Sequence, residues 1–172
     1  MEGVKVGIYS KNCREWIISD LAIVMAGYVS VPFFPSLNGK ELAYIMDYGD
    51  VDALFLGKIE TWDDIKNDLP KDMPMITFPN YAGCSNVDVG HKWHEFIDKH
   101  EPITNPHNPK LSDLWTIIFT SGTTGNPKGV MLTYQAIDGI KVVLDDPNNP
   151  LGIKHDGNNE FISYLPLNHI FE

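Results

Sequence analysis

Apolar positions in the first 80 residues fall into short blocks that alternate between two periods. Val4 to Tyr9 is a mostly apolar run of strand length, as in a strand buried on both faces. Asn12 with Glu15 three residues on has the form of a capping box. Trp16, Ile17, Leu21, Val24 and Met25 then recur at helical spacing up to Gly27. Val29 to Val31 reads as a short strand entering Pro32. Asn38 and Glu41 repeat the capping pattern ahead of Leu42, Ile45 and Met46. Ala53 to Leu56 reads as a strand, Ile59 to Leu69 as a modest helix and Met75 to Phe78 as a further strand. Short apolar strands alternating with helices predict an α/β fold with a mainly parallel sheet and flanking helices.

The second half is less regular. Pro79 to Gly90 reads as a loop, His91 to His100 as a short helix, and Glu101 to Lys110, with Pro102, Pro106 and Pro109, as a connector. The connector divides the chain into an α/β unit over 1–110 and a second segment over 111–172. In that segment a strand ending at Phe119 runs into a loop, Thr133 to Leu144 forms a helix, Asp145 to Asn159 is a surface loop, and Phe161 to Leu165 is a strand.

The loop after Phe119 carries the chemistry. Thr120, Ser121, Thr123 and Thr124 supply four hydroxyls, Gly122, Gly125 and Gly129 let backbone N–H groups approach an anion, and Lys128 adds a mobile positive charge. These parts suit phosphate, which an enzyme positions and neutralises. The Walker A pattern does not fit, because Lys128 follows Pro127 and Gly129 stands where the hydroxyl ligand belongs. No G-x-G-x-x-G is present. The plainer alternative is a flexible Gly/Thr turn.

His169 follows the Phe161–Leu165 strand and Pro166, near a sheet edge where ligands collect in open α/β folds; the alternative is a packing or capping histidine. His91, His94, His100 and His107 lack zinc-site spacing, so no metal site is expected there. Asp63–Asp64 and Asp145–Asp146 read as solvated turns, and Trp16, Trp62, Trp93 and Trp115 as core or partial core.

Charge and cysteine content narrow the class. Thirteen Lys and Arg against 23 Asp and Glu leave a formal net charge of −10, which argues against a nucleic-acid surface or a polybasic membrane patch. Two cysteines, Cys13 and Cys84, make no disulfide framework and fit a reducing, cytoplasmic setting. Cys13 is placed at a helix start as a half-buried filler. The longest near-apolar run, Leu21 to Phe34, is broken by Gly27, Ser30 and Pro32 and is too short to span a bilayer.

Thr120-Ser-Gly-Thr-Thr-Gly-Asn-Pro-Lys-Gly129 resembles the phosphate-loop signature of the adenylate-forming (AMP-binding) superfamily. Ser163-Tyr-Leu-Pro-Leu-Asn-His-Ile-Phe-Glu172 resembles that family's histidine motif in the form typical of long-chain fatty acyl-CoA synthetases. Val6 to Trp16, Asp20 to Ile23, Ala26–Gly27 and Val31 to Ser36 resemble its N-terminal region. The resemblance implies ATP, a fatty acid and coenzyme A as substrates. Thr120, Ser121, Gly122, Thr123, Thr124, Gly125 and Lys128 would be on the ATP phosphates and His169 beside the acyl-adenylate. Mg²⁺ is implied too, with its protein ligand outside this chain. The family's chains are several times longer, so the sequence is expected to be an N-terminal fragment, inactive alone and inclined to self-associate through exposed core surface. Two alternatives stay open: an adenylating enzyme that loads a carrier protein, and a non-catalytic remnant that binds nucleotide or a partner. Work on long acyl chains also leaves peripheral membrane contact open.

Overall fold

In a computed structural model, residues 3–120, 127–148, 152, 158–160 and 165–168 are described. The elements follow in the order β1 (Lys5–Ser10), α1 (Arg14–Met25), β2 (Val29–Phe33), α2 (Gly39–Tyr48), β3 (Ala53–Gly57), α3 (Trp62–Ile65), β4 (Met75–Thr77), β5 (His91–Lys92), α4 (Trp93–Ile97), β6 (Leu114–Thr120), β7 (Lys128–Thr133) and α5 (Gln135–Leu144). They build one seven-stranded sheet in the order β5-β4-β3-β1-β2-β6-β7. All neighbours are parallel except β6 and β7. The α/β fold with a mainly parallel sheet is therefore as the alternation of periods requires.

The chain leaves β1 toward β2 on one side and then crosses back to β3 on the other, so helices cover both faces. β1 is buried along its whole length. Its Val6 and Ile8 pack with Trp16 and Ile23 of α1 and Trp93 of α4. Its Tyr9 packs on the opposite face with Leu42, Ile45 and Met46 of α2 and Ile65 of α3. The second capping box forms as read: Asn38 Oδ1 accepts from Glu41 N at 3.0 Å, and Asn38 N donates to Glu41 Oε2 at 3.0 Å. Trp16, Trp62 and Trp93 are buried and Trp115 is half-buried.

Four local expectations need correction. Asn12 does not cap α1; Cys13 is the N-cap residue, with no side-chain capping bond, and Glu15 is used elsewhere. The face that α1 buries is Glu15, Trp16, Ser19 and Ile23, while Ile17, Ile18, Leu21 and Met25 are exposed. That helix is apolar on several sides, and periodicity alone could not choose the side that meets Val6 and Ile8. Regular helix over 59–69 is confined to Trp62–Ile65, although Ile59, Trp62, Ile65 and Leu69 are all buried. Asn67 and Asp68 are weak helix formers and Leu69 precedes Pro70, which disfavours the α region. His91–Lys92 is a strand on β4, so only Trp93–Ile97 of the expected His91–His100 helix is helical.

A polar line crosses the sheet beside β2. Ser30 Oγ donates to Asp20 Oδ1, and the Ser30 carbonyl accepts from Thr116 Oγ1 of β6 at 2.9 Å. Burial pushes the Asp20 carboxyl above the usual aspartate range, with the Ser30 hydrogen bond opposing. A raised carboxyl pKa costs stability once pH exceeds the unfolded-state value, and the cost is complete above the folded-state value. Asp20→Asn keeps an acceptor for Ser30 and removes that cost. Its melting temperature is expected above wild type at pH 7, with the gap closing below pH ~3.9, the ordinary aspartate value. Thermal melts across pH check this; a gap independent of pH refutes it.

Candidate functional site

Open α/β sheets bind ligands outside the carboxyl ends of their parallel strands. Here that edge is formed by Ser10, Phe33, Gly57, Thr77 and Thr120. Thr120 is the last residue of β6 and is exposed. The chain returns at Lys128, which opens β7 rather than closing a loop before a helix. This corrects the expected loop-to-helix order: the helix starts at Gln135, not Thr133. The reason is local, since Val130, Met131 and Leu132 suit a strand and β6 offers a free edge.

The hairpin places two of the sequence-derived site residues face to face. Thr120 and Lys128 are opposite each other in the antiparallel register, and Thr120 Oγ1 reaches the Lys128 carbonyl at 3.5 Å. Directly opposed residues present their side chains on one face of the sheet. Ile117 and Phe119 pack on the α2 side, so alternation puts Thr120 and Lys128 on the α1 side. Ser121, Gly122, Thr123, Thr124 and Gly125 lie outside the described residues.

The segment 165–168 reaches the same edge. Asn12, two residues past β1, donates Nδ2 to the Leu165 carbonyl at 2.7 Å and accepts from Leu167 N at Oδ1, 2.9 Å. Leu167 packs into the core on the α1 side of the sheet. Two strand spacings, about 10 Å, separate β1 from β6. Thus residues 165–168 and the paired ends of the hairpin, Thr120 and Lys128, share one face and one edge of the sheet. Asn168 is 2% exposed, and its Nδ2 has no hydrogen-bond partner among the described residues. His169 and residues 161–164 of the strand read over Phe161–Leu165 lie outside the described residues; Leu165 itself sits in a bend and not in a strand.

Sequence reasoning missed the support beneath this segment. Lys58 Nζ donates to the Asn12 carbonyl at 2.6 Å and lies 5.1 Å from the centroid of the Tyr81 ring. The Tyr81 hydroxyl donates to Glu15 Oε2, and Arg14 Nε donates to Glu15 Oε1 at 2.7 Å. Burial works against the Glu15 charge, but the bonds from Arg14 and Tyr81 prevail and hold its carboxyl below the usual range. Burial, and then the bond to Glu15, push the Tyr81 phenol well above its ordinary value. No spacing in the sequence links residues 12, 58 and 81. Among the described residues, no three His, Cys, Asp or Glu side chains are grouped to hold a metal ion, and no helix is long and apolar enough to cross a membrane.

The whole chain, residues 1–172, matches the family described as AMP-binding enzyme. This chain belongs to the AMP-binding enzyme family. Similar relatives of this family member include long chain acyl-CoA synthetase 5 of Arabidopsis thaliana, 33% identical over 99% of the chain and 27% of the relative. The long-chain-fatty-acid–CoA ligase 5 of Rattus norvegicus is 29% identical over 97% of the chain and 26% of the relative. The AMP-binding chain thus spans about a quarter of the length of the curated relatives it matches. Among solved structures, an acyl-CoA synthetase of Brucella canis has the same fold with a TM-score of 0.70 at 18% identity, over 90% of this chain and 27% of that one. An anthranilate CoA ligase bound to anthranoyl-AMP aligns with a TM-score of 0.69 at 19% identity, over 83% of this chain and 28% of that one.

Proposed function

We propose that the protein carrying this chain is an ATP-dependent fatty acid–CoA ligase acting through an acyl-adenylate. A fatty carboxylate oxygen attacks the α-phosphorus of ATP and pyrophosphate leaves; the thiol of coenzyme A then attacks the acyl carbon and AMP leaves. The observation that supports this reading is the hairpin that holds Thr120 and Lys128 on one face of the parallel sheet's carboxyl edge, in a chain similar along 99% of its length to long chain acyl-CoA synthetases. In this reading Lys128 and the hydroxyls of Thr120, Ser121, Thr123 and Thr124 hold the β- and γ-phosphates, Gly122 and Gly125 leave room for backbone donors, and His169 lines the acyl-adenylate. Hydroxyls and one ammonium fit phosphate oxygens as donors. Mg²⁺, when bound, neutralises phosphate charge; its protein ligand is assigned outside this chain. Residues 1–110 and 111–172 then serve as two parts of one AMP-binding domain.

The test is fatty-acid-dependent ATP–pyrophosphate exchange by the full-length product. Exchange that requires a fatty acid, followed by acyl-CoA formation on adding coenzyme A, is the expected result. Exchange without acyl-CoA formation assigns a different acceptor, such as a carrier protein. No exchange with acids from short to long sinks the adenylation reading.

A further inference from the structure

We propose that Asn12 is a positioning residue that ties the histidine segment to the end of β1. The proposal rests on the adenylation reading above for its effect on catalysis, and on geometry for the tether itself. Asn12 follows β1 by two residues, at the carboxyl edge of the sheet. Both halves of its side-chain amide are engaged by one distant stretch: Nδ2 donates to the Leu165 carbonyl at 2.7 Å and Oδ1 accepts from Leu167 N at 2.9 Å. Two bonds from one planar group to residues i and i+2 fix the direction of that backbone as well as its distance.

The anchor is itself held. Lys58 Nζ bonds the Asn12 carbonyl at 2.6 Å from the end of β3, and Cys13 begins α1, whose Glu15 is fixed by Arg14 and Tyr81. Leu167 packs with the Trp16 and Ile8 cluster, so its side chain adds an apolar footing one bond away from the tether. Asn168 is buried next in sequence, and His169 follows it. A catalytic side chain must be held to within about half an ångström to act well. Both halves of the Asn12 amide are spent on this backbone, so its part is to fix the chain two residues ahead of His169.

The test uses the full-length protein with Asn12→Ala and Asn12→Asp, read by two independent measurements. Hydrogen–deuterium exchange mass spectrometry follows the peptide covering 165–168, whose Leu167 amide the tether protects. ATP–pyrophosphate exchange gives kcat and KM separately. Asn12→Ala is expected to speed deuterium uptake in that peptide while β1 and β3 peptides stay unchanged. It should lower kcat roughly 10–100-fold, as for a misplaced catalytic group, with KM for ATP within about twofold. Asn12→Asp keeps the acceptor for Leu167 N but not the donor for the Leu165 carbonyl, so it is expected to fall between Asn12→Ala and wild type on both readouts. Unchanged uptake in Asn12→Ala overturns the tether whatever the kinetics show. Faster uptake with unchanged kcat overturns its positioning role, as does a rise confined to KM for ATP. A wild-type protein inactive with every acid brings down the adenylation reading, and the positioning role with it, while the uptake result still judges the tether alone.

Discussion

Cutting Phe33 back to alanine is expected to lower the unfolding free energy by about 3–5 kcal/mol, the usual cost of emptying a large aromatic site in a packed core. Phe33 is 1% exposed and closes β2 on the α2 side of the sheet. Its ring occupies space that another residue on the same face leaves free: a Cβ added to Gly7 would come within 2.6 Å of Phe33 Cε2 and 2.8 Å of Leu54 Cδ1. Gly7 is therefore a matter of room. Gly7→Ala alone is expected to destabilise through overpacking by about 1–3 kcal/mol. In the Phe33→Ala background that penalty should shrink, because the closest clash is gone and a methyl then fills part of the void. Urea titrations of the four proteins in the cycle measure the coupling. Strictly additive penalties would falsify the idea that Gly7 and Phe33 share one packing site. Natural domains hold only about 5–15 kcal/mol in total, so the Phe33 variant is also expected to give a visibly lower soluble yield.

Two similar sequence patterns in this chain met different fates. Asn38 and Glu41 form the capping box that their spacing predicts, since both bonds are made within four residues of chain. Asn12 and Glu15 have the same spacing and make no box. The Asn12 amide is taken by residues 165 and 167, and the Glu15 carboxylate by Arg14 and Tyr81. Local patterns were reliable where the chain was free to satisfy itself locally. They failed where a partner more than 60 residues away offered a better bond. The buried strands β1, β3 and β4 were legible for the first reason: an apolar run of strand length bounded by turn residues has few other uses. β7 was not, because Gly129 and the loop before it mask a strand that exists only by pairing with the exposed edge of β6. The run of hydroxyls, glycines and one lysine from Thr120 to Gly129 stood out in the sequence, whereas the opposition of Thr120 and Lys128 did not, since register is a property of the hairpin and not of either residue.

That opposition carries the second large effect. Lys128→Ala in the full-length product is expected to lower kcat for fatty-acid-dependent ATP–pyrophosphate exchange by about 10²–10³-fold, the usual loss when one preorganised charge-stabilising donor is removed from a reacting centre. Pyrophosphate leaves with more negative charge than it carries in bound ATP, and a single ammonium beside it acts most strongly at that moment. Stability is expected to hold within about 0.5 kcal/mol, because Lys128 is exposed and its contribution to β7 is made by backbone groups that alanine retains. Lys128→Arg keeps the charge but spreads it over a planar fork, so it should recover only part of the rate. Thr120→Ala removes a hydroxyl from the same face and is expected to cost less than Lys128→Ala, since a neutral donor stabilises growing charge less than a cation does. The decisive comparison is rate against melting temperature across the three variants. A rate loss that follows a falling melting temperature would make Lys128 a structural residue of the hairpin. A rate loss at constant melting temperature, graded from threonine to lysine, is what a phosphate cradle on this edge of the sheet requires.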